Sequence, residues 1–290
     1  MSPTSLEPTP VDSVDCCFSR GRLLLLSLGI ECNQRCVHCM RTATLARPRP
    51  IDPETLFPAL ADAIPALSVE RVVISGGEPT LISNLPLVIS EISRHGAKPS
   101  LCTNGVRVDE ASAQDFSRAG LAAATIGLEG IEEDYEWFRG YSGGHERALQ
   151  GASCLIEAGI RVTVNVTLHN RILHSADTFA DALNDLGLSS ICVTAPMFRG
   201  RLENHWAHFD EVNEHAINAF VVQLRRRAGC RVTVRIPRCN SSTCPSGRRV
   251  FSMNRRGEVD GCPDVGAENV ADLVASGGAC DHGHGEPGLN

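Results

Sequence analysis

A short apolar stretch that runs into three closely spaced cysteines is the strongest constraint in this sequence. Residues 23–28 are too few to cross a bilayer and have the length of a buried strand. Cys32, Cys36 and Cys39 follow with C-x3-C-x2-C spacing. Because iron–sulfur clusters are usually held by four cysteines, three thiols on one loop indicate a cluster that leaves one iron open. The alternative is a zinc site with His38 as the fourth ligand, although zinc ligands usually come as two separated pairs.

Length, charge and cysteine content exclude several classes of protein. The 290 residues suffice for one large domain and a small appendage. A net charge of −7 argues against general nucleic-acid binding. Residues 1–15 lack the features of a signal peptide, and no window approaches the about twenty apolar residues of a membrane span. Thirteen clustered cysteines indicate metal sites in a reducing compartment, so we expect a cytoplasmic protein without a nucleic-acid or membrane partner.

Strand-like and helix-like segments alternate along the first two thirds of the chain. After the first strand, strands are predicted at 71–75, 98–103, 122–128, 161–168 and 189–194, and helices at 51–67, 85–95, 109–119, 145–158 and 177–186. This alternation predicts a parallel sheet with right-handed crossovers. The unusual motifs fall at the carboxyl ends of strands, where (β/α) barrels carry their chemistry. Six repeats instead of eight predict an α/β fold of the open, partial-barrel type, with room for a large substrate.

Two further motifs complete a resemblance to a known family. Gly76-Gly77-Glu78-Pro79 follows the second strand and Thr103-Asn104-Gly105 follows the third. Together with the cysteine loop they resemble the radical S-adenosylmethionine (SAM) superfamily, over residues from about 22 to about 201. The resemblance implies a partial (β/α)6 barrel and a [4Fe–4S] cluster on the three loop cysteines. It also implies that SAM bound to this cluster yields a 5′-deoxyadenosyl radical after one-electron reduction by a flavodoxin- or ferredoxin-type donor.

The resemblance also implies which residues bind SAM near its methionine end. His38 stands where the family commonly has an aromatic residue beside the adenine. Gly76 and Gly77 permit close approach of the backbone, and Glu78 would balance the ammonium charge of SAM. Thr103 and Asn104 lie on the same rim and are expected to line the cofactor site, although a glycine turn alone would be an ordinary structural feature.

The remaining expected cofactor contacts come from later strands. Glu129 lies in Gly127-Leu128-Glu129-Gly130, where the family often has Ser-Leu-Asp-Gly, and is expected to reach the ribose hydroxyls. Arg139, in a recurring Phe-Arg-Gly feature, is a further candidate, with a surface ion pair as the alternative. Asn165 and the backbone at 195–197, including Met197, are candidates for ribose and adenine contacts. A buried structural role is the alternative for Asn165.

The C-terminal region changes in character after a predicted helix at 213–227. Two cysteines flank a predicted hairpin with arms at 250–253 and 258–259. This pattern resembles the auxiliary-cluster domain called SPASM, or its shortened twitch form. The resemblance implies a second [4Fe–4S] cluster on Cys239, Cys244, Cys262 and Cys280. The alternative is a structural zinc, for which His282 and His284 are possible ligands.

Cys230 lies just ahead of this region and is the candidate catalytic thiol. Relatives that invert a stereocentre resupply hydrogen from a thiol, and Cys230 is expected to serve in that way if this protein does so. Cys102, Cys154 and Cys192 are instead expected to be small buried side chains. The predicted domain division is a tail at 1–18, a partial barrel at 19–205, and a helix with an auxiliary-cluster region at 206–290.

The leading interpretation is a radical SAM enzyme that tailors a small natural product. Few residues precede the first strand and the auxiliary region is small, which favours a sugar, aminocyclitol, aminoglycoside or nucleoside as substrate. Hydrogen abstraction would lead to epimerisation or dehydrogenation. The first alternative is a maturase that epimerises or crosslinks a ribosomally made peptide. A second alternative, from another class, is a non-catalytic iron–sulfur or zinc protein.

Overall fold

The computed structural model describes residues 21–235 and 249–260 of the chain. Several predictions lie outside these residues. They are the N-terminal tail, the four auxiliary ligands Cys239, Cys244, Cys262 and Cys280, and the alternative zinc ligands His282 and His284. The auxiliary cluster and the division at residues 205/206 therefore stay predictions.

Strands and helices alternate through most of the described chain. In chain order the elements are β1 Leu23–Ser27, α1 Pro53–Ala66, β2 Arg71–Ser75, α2 Leu85–Arg94, β3 Lys98–Thr103, α3 Glu110–Arg118, β4 Ala123–Gly127, α4 Glu132–Arg139, α5 Gly144–Glu157, β5 Arg161–Thr167, α6 Ala176–Asn184, β6 Ser190–Thr194, α7 Glu214–Arg227, β7 Arg231–Arg235, β8 Val250–Asn254 and β9 Val259–Asp260. Short 3-10 turns occur at Pro79–Leu81, Asn170–Ile172, Gly200–Asn204 and Trp206–His208.

All nine strands form one sheet in the order β7-β6-β5-β4-β3-β2-β1-β8-β9. Every neighbouring pair is parallel except β8–β9, which is antiparallel. Within the described residues β7 and β9 are the two edges, so the sheet stays open as predicted. The six predicted parallel strands are confirmed, and α4 and β7 are additions. The predicted hairpin is also confirmed, but its first arm, β8, pairs with β1 and extends the main sheet.

The sheet buries apolar side chains on both faces, but unequally. Leu24 and Leu26 belong to the main core between sheet and helices, while Leu23, Val73 and Val250 form a small separate cluster. Successive side chains of a strand point to opposite faces, so the small cluster lies on the face away from this helix-packed core, which is called the inner face here. The helices begin at the expected signals. Asp52 caps α1 through Glu54 N, and Asp109 forms a capping box with Ser112 at α3.

The inner face becomes polar toward the carboxyl ends of β4 to β7. Asn165 is in register with Gly127 and Cys192, and Cys192 is in register with Thr233. Val164 and Val166 flank Asn165 in the main core, which places the Asn165 side chain on the inner face. The carboxyl-end layer of the inner face is therefore lined by small polar side chains rather than by the branched apolar ones that fill a closed barrel.

Candidate functional site

The loop after β1, residues 29–44, carries the three cysteines and is called the cysteine loop here. The Gly-Gly-Glu motif after β2 binds the first residues of this loop through backbone hydrogen bonds. Gly77 N donates to Gly29 O at 2.8 Å, and Glu78 N donates to Glu31 O at 2.8 Å. A Cβ on Gly77 would overlap the backbone of Glu31, which is why glycine is needed. Gly77 therefore lets the backbone of this motif approach the backbone of the cysteine loop closely. Its approach to SAM stays a prediction.

Glu78 joins this motif to Thr-Asn-Gly after β3. Its carboxylate is buried and accepts hydrogen bonds from Thr103 Oγ1 (2.6 Å), Asn104 N (2.7 Å), Thr80 Oγ1 (2.7 Å) and Thr80 N (3.1 Å). Burial raises the pKa of Glu78, and these hydrogen bonds oppose the rise. Asn104 continues the network by donating from Nδ2 to Asn33 Oδ1 of the cysteine loop at 2.8 Å. The structure thus uses Glu78, Thr103 and Asn104 to tie three loops together.

The middle and the last residues of the cysteine loop are held by two other segments of the chain. Arg35 N and Val37 N donate to Arg139 O (2.9 Å) and Phe138 O (3.0 Å) at the end of α4. After β6, Arg201 N donates to Cys39 O at 3.1 Å, and the Arg201 guanidinium donates to Cys36 O and Ala43 O. Arg201 is a loop-holding residue that was not predicted. Its position in the segment after the sixth strand is the signal that could have indicated it.

The three cysteine sulfurs each accept a hydrogen bond. The donors are Gln34 N to Cys32 (3.4 Å), Arg139 Nη1 to Cys36 (3.7 Å) and Ala43 N to Cys39 (3.4 Å). Burial raises the pKa of Cys32 to about 11, and burial also raises the pKa of Cys36 although Arg139 opposes it. Donors aimed at sulfur stabilise thiolates, and the thiolate is the form of cysteine that binds metal.

Unpartnered polar atoms accompany the three thiols. Among the described residues, no group of three or more His, Cys, Asp or Glu side chains is placed to hold one metal ion. Buried polar atoms without a hydrogen-bond partner in the described structure also surround the loop, namely Asn33 Nδ2, His38 Nδ1 and Arg139 Nε. These atoms are available to a group bound at the loop.

Glu129 and Arg139 form a buried ion pair next to Cys36. Their side chains are 1% and 9% exposed. Burial lowers the pKa of Arg139, but Glu129, Cys36 and Tyr135 together outweigh burial and raise it, so the guanidinium stays charged. A Cβ on Gly127 would overlap the Arg139 guanidinium. The glycine at 127, where the resembling family often has serine, therefore makes room for Arg139.

Aromatic rings stack beside this pair. His38 lies 4.6 Å from Phe138 between ring centroids, and Phe138 stacks on His169 at 4.7 Å. Burial, with Arg139 and His169 nearby, holds the pKa of His38 well below its usual range, so the ring is neutral. His169 is fully buried and its Nε2 donates to Glu129 O at 2.7 Å. His169 was not predicted, although it follows β5 at the functional edge of the sheet.

The remaining predicted residues are divided between the two ends of the sheet. Asn165 accepts a hydrogen bond from Thr194 Oγ1 at 2.6 Å, and Met197 lies partly exposed after β6, both near the carboxyl ends. Cys230 precedes β7 at the amino ends and packs against the main core. A five-residue strand spans roughly 17 Å, so Cys230 is on the wrong edge to meet the cysteine loop. The prediction that Cys230 supplies hydrogen is corrected on this ground.

Comparison with known proteins identifies the family. The sequence model described as the Radical SAM superfamily matches residues 26–186, which is more than half of the chain. The chain belongs to the radical SAM superfamily. Its cofactors are therefore a [4Fe–4S] cluster and SAM, so the zinc alternative for the cysteine loop is wrong. The unpartnered polar atoms at the cysteine loop agree with a bound group.

Relatives of several kinds share this domain. Fe-coproporphyrin III synthase of Methanosarcina barkeri is 29% identical over 63% of this chain and 47% of its own length. PqqA peptide cyclase of Bradyrhizobium diazoefficiens is 24% identical over 86% of this chain and 68% of its own length. The chain spans about half the length of the first of these relatives.

Solved structures confirm the fold. SuiB of Streptococcus suis bound to SAM has a TM-score of 0.67 at 12% identity, covering 90% of this chain and 66% of SuiB. SuiB bound to its precursor peptide SuiA has a TM-score of 0.66 over 90% of this chain and 65% of SuiB, at 13% identity. No helix among the described residues is long and apolar enough to span a membrane.

Proposed function

We propose that this radical SAM enzyme modifies a peptide. The match to PqqA peptide cyclase carries this proposal, because it extends over 86% of the chain and so reaches well beyond residues 26–186. A peptide as substrate replaces the small natural product that the sequence analysis favoured.

The open sheet is compatible with a large substrate. In the described residues β7 and β9 leave the sheet unclosed, and polar side chains such as Asn165 and Thr194 lie toward the carboxyl ends of β5 and β6. When bound, the cluster and SAM supply a 5′-deoxyadenosyl radical that abstracts a hydrogen atom. The protein's part is to hold the reacting C–H bond near the loop and to exclude water from it.

We infer that the cofactor is held by the residues that the motifs indicate. Cys32, Cys36 and Cys39 would ligate the cluster. Glu78, Thr103 and Asn104 would act mainly by fixing the loops, because their polar atoms already bind one another. The other proposed contacts with SAM come from the backbone at Gly76 and Gly77 and from the His38 ring beside the adenine. Further contacts are proposed for Glu129, Arg139, Asn165 and Met197, the last two toward ribose and adenine.

We also propose a second [4Fe–4S] cluster and an acidic electron donor. Cys239, Cys244, Cys262 and Cys280 remain the proposed ligands of that cluster. Residues 32–51, which include most of the cysteine loop and the residues after it, offer a surface for a flavodoxin- or ferredoxin-type protein, because they contain no carboxylate. Four exposed arginines stand there on a chain of net charge −7: Arg35, Arg41, Arg47 and Arg49. Such local charge favours docking of an acidic partner.

A second candidate substrate is a polar small metabolite. It is favoured by the hydroxyl groups that line the inner face, such as Thr163, Ser190 and Thr233. Side chains of this kind can bind a hydroxylated sugar or aminocyclitol as readily as a peptide backbone.

The test is an anaerobic assay with reconstituted protein, SAM and dithionite. Peptides from short reading frames beside the gene are compared with a panel of aminoglycosides, and Cys36→Ala is the matched inactive variant. We expect 5′-deoxyadenosine formation to rise with a peptide only. The peptide should lose a pair of hydrogens if it is crosslinked, or take up solvent deuterium if it is epimerised. Stimulation by an aminoglycoside alone would replace the proposal with the second candidate.

Iron and sulfide content tests the auxiliary cluster in the same preparations. We expect the variant that lacks Cys32, Cys36 and Cys39 to lose about half of its iron, because a [4Fe–4S] cluster would remain at the C-terminal cysteines. Complete loss of iron, with zinc retained, would show that those cysteines hold a structural zinc.

A further inference from the structure

A buried cation, the Arg139 guanidinium, lies beside the Cys36 sulfur. Arg139 Nη1 lies 3.7 Å from Cys36 Sγ and 3.4 Å from Gln34 Oε1. Its other terminal nitrogen, Nη2, contacts the Glu129 carboxylate, and both side chains are at least nine-tenths buried. The guanidinium therefore stands between a metal-binding sulfur and a carboxylate.

The ion pair is asymmetric with respect to the sulfur. Arg139 contacts Cys36 directly, whereas Glu129 contacts Arg139 and approaches His38, with 3.9 Å between Glu129 Oε1 and His38 Nε2. The positive charge is the nearer of the two. In a buried site a charge acts on its neighbours more strongly than in water, so the nearer charge dominates at the sulfur.

Surrounding residues fix this arrangement. Gly127 leaves space for the guanidinium, since any Cβ there would overlap it. Gln34 is anchored by its Nε2, which donates to Tyr135 OH at 3.2 Å. The backbone of Arg139 is held by Arg35 N at 2.9 Å. The guanidinium cannot leave Cys36 without losing its contacts with Gln34 and Glu129.

We propose that the Glu129–Arg139 pair sets the reduction potential of the cluster held by Cys32, Cys36 and Cys39. This inference rests on the proposed ligand roles of these cysteines. Reduction takes one electron from an external donor and adds one negative charge beside Cys36, with no proton taken up. Arg139 stabilises that added charge and raises the potential, and Glu129 offsets part of the effect. Gln34 and Tyr135 act as positioning residues.

The experiment is an EPR-monitored redox titration of the full protein without SAM or substrate, at fixed pH. We expect Arg139→Gln to shift the midpoint to a more negative potential and Glu129→Gln to shift it to a more positive one. Each shift should amount to at least a tenfold change in the reduced-to-oxidised ratio, about 59 mV for a one-electron couple. The double variant should fall between the two single variants.

The opposite signs separate charge from structural damage. A disturbed loop would move both single variants in the same direction, and that result would overturn the proposal, as would unchanged midpoints. Because SAM is absent, lost SAM binding cannot cause the shifts. Arg227→Gln, which breaks the exposed pair with Asp181 far from the loop, is the control and should leave the midpoint unchanged.

Two further outcomes keep this inference distinct from the proposed function. If Arg139→Gln does not assemble a cluster, Glu129→Gln alone decides, and a negative shift in that variant contradicts the proposal. If the wild type shows opposite-signed shifts in its variants but acts on no peptide, the proposed substrate fails and the role of the ion pair stands. A wild type without any reducible cluster overturns both.

Discussion

Polar side chains in this site are used mainly to hold loops in place. Glu78 accepts four hydrogen bonds from two loops, Asn104 reaches Asn33, and Arg201 binds backbone oxygens of the cysteine loop. Such buried networks are costly to leave partly satisfied. At the residue scale, the Gly-Gly-Glu and Thr-Asn-Gly motifs of this chain therefore act as structural connections between the loops that follow β1, β2 and β3.

Replacing Glu78 tests this connecting role. In Glu78→Gln an amide NH2 would face donors from Thr103, Thr80 and Asn104, so hydrogen bonds are lost in a buried position. We expect the free energy of unfolding of the cluster-free protein to fall by about 1–3 kcal/mol. Urea unfolding measures it, with the exposed Glu146→Gln as control, expected within about 0.5 kcal/mol of wild type. Equal stability of both variants would mean that the network contributes little.

Replacing Cys230 tests its placement at the amino ends of the strands. Because it lies at the opposite edge from the cysteine loop, Cys230→Ala should leave 5′-deoxyadenosine formation and the identity of the product unchanged. Cys36→Ala should abolish both. Product analysis by mass spectrometry, with solvent deuterium as a label, measures the outcome. Loss of solvent-derived hydrogen in the Cys230→Ala product would restore the thiol as a hydrogen donor.

At the scale of single elements, helix caps fix the loops that follow the strands. The segment after β3 leads directly into α3, whose first turn is closed by a capping box between Asp109 and Ser112. Hydrogen bonds from Ser112, first from its side chain and then from its backbone, lower the pKa of Asp109. The ionised carboxylate is therefore the form that the folded helix favours.

Asp109→Ala should lower the free energy of unfolding by about 1 kcal/mol at neutral pH, whereas Asp109→Asn keeps a capping side chain and should cost less. A folded-state pKa below the unfolded value gives stability that is present above the unfolded pKa and is lost as pH falls through the folded one. Urea unfolding should thus show a smaller difference between wild type and Asp109→Ala below about pH 4. A difference that does not change with pH would contradict an ionic contribution.

At the scale of the whole molecule, charge is distributed unevenly. The chain carries a net charge of −7. Residues 32–51, which include most of the cysteine loop, nevertheless expose four arginines and contain no carboxylate. Long-range attraction between this surface and an acidic donor speeds encounter and is screened by salt. The placement would bring a donor to the one loop where the electron is needed.

The double variant Arg41→Glu/Arg47→Glu should slow cluster reduction by flavodoxin hydroquinone about tenfold at low ionic strength, and less at high salt. Reduction by dithionite, which needs no docking surface, should be unchanged. Stopped-flow absorbance measures both rates. Lys98→Glu/Arg161→Glu, at the amino ends of β3 and β5, changes the net charge by the same amount and is the matched control. An equal slowing in that control would indicate a general charge effect rather than docking at the loop.

The sequence by itself determined the order of strands and helices and the edge of the sheet that carries the chemistry. Both depend on local signals, namely apolar runs such as 23–28, caps such as Asp52 and the rule that parallel strands end at one edge. The short helix α4 was missed because its sequence, EEDYEWFR, is mostly polar and carries no long apolar stripe. The strand β7 was also missed. Its sequence, RVTVR, alternates valine with polar residues, but residues 206–290 were expected to lie outside the barrel.

Only the tertiary structure decided which of these residues meet. The contact of Arg139 with Cys36 joins residues 103 positions apart, and that of Asn104 with Asn33 joins residues 71 positions apart. Such contacts depend on strand register and on how loops pack, which composition and spacing do not encode. The same reason explains the pairing of β8 with β1 and the position of Cys230 at the far edge. The cysteines specified the chemistry, and the packing of distant loops specified the environment in which their sulfurs act.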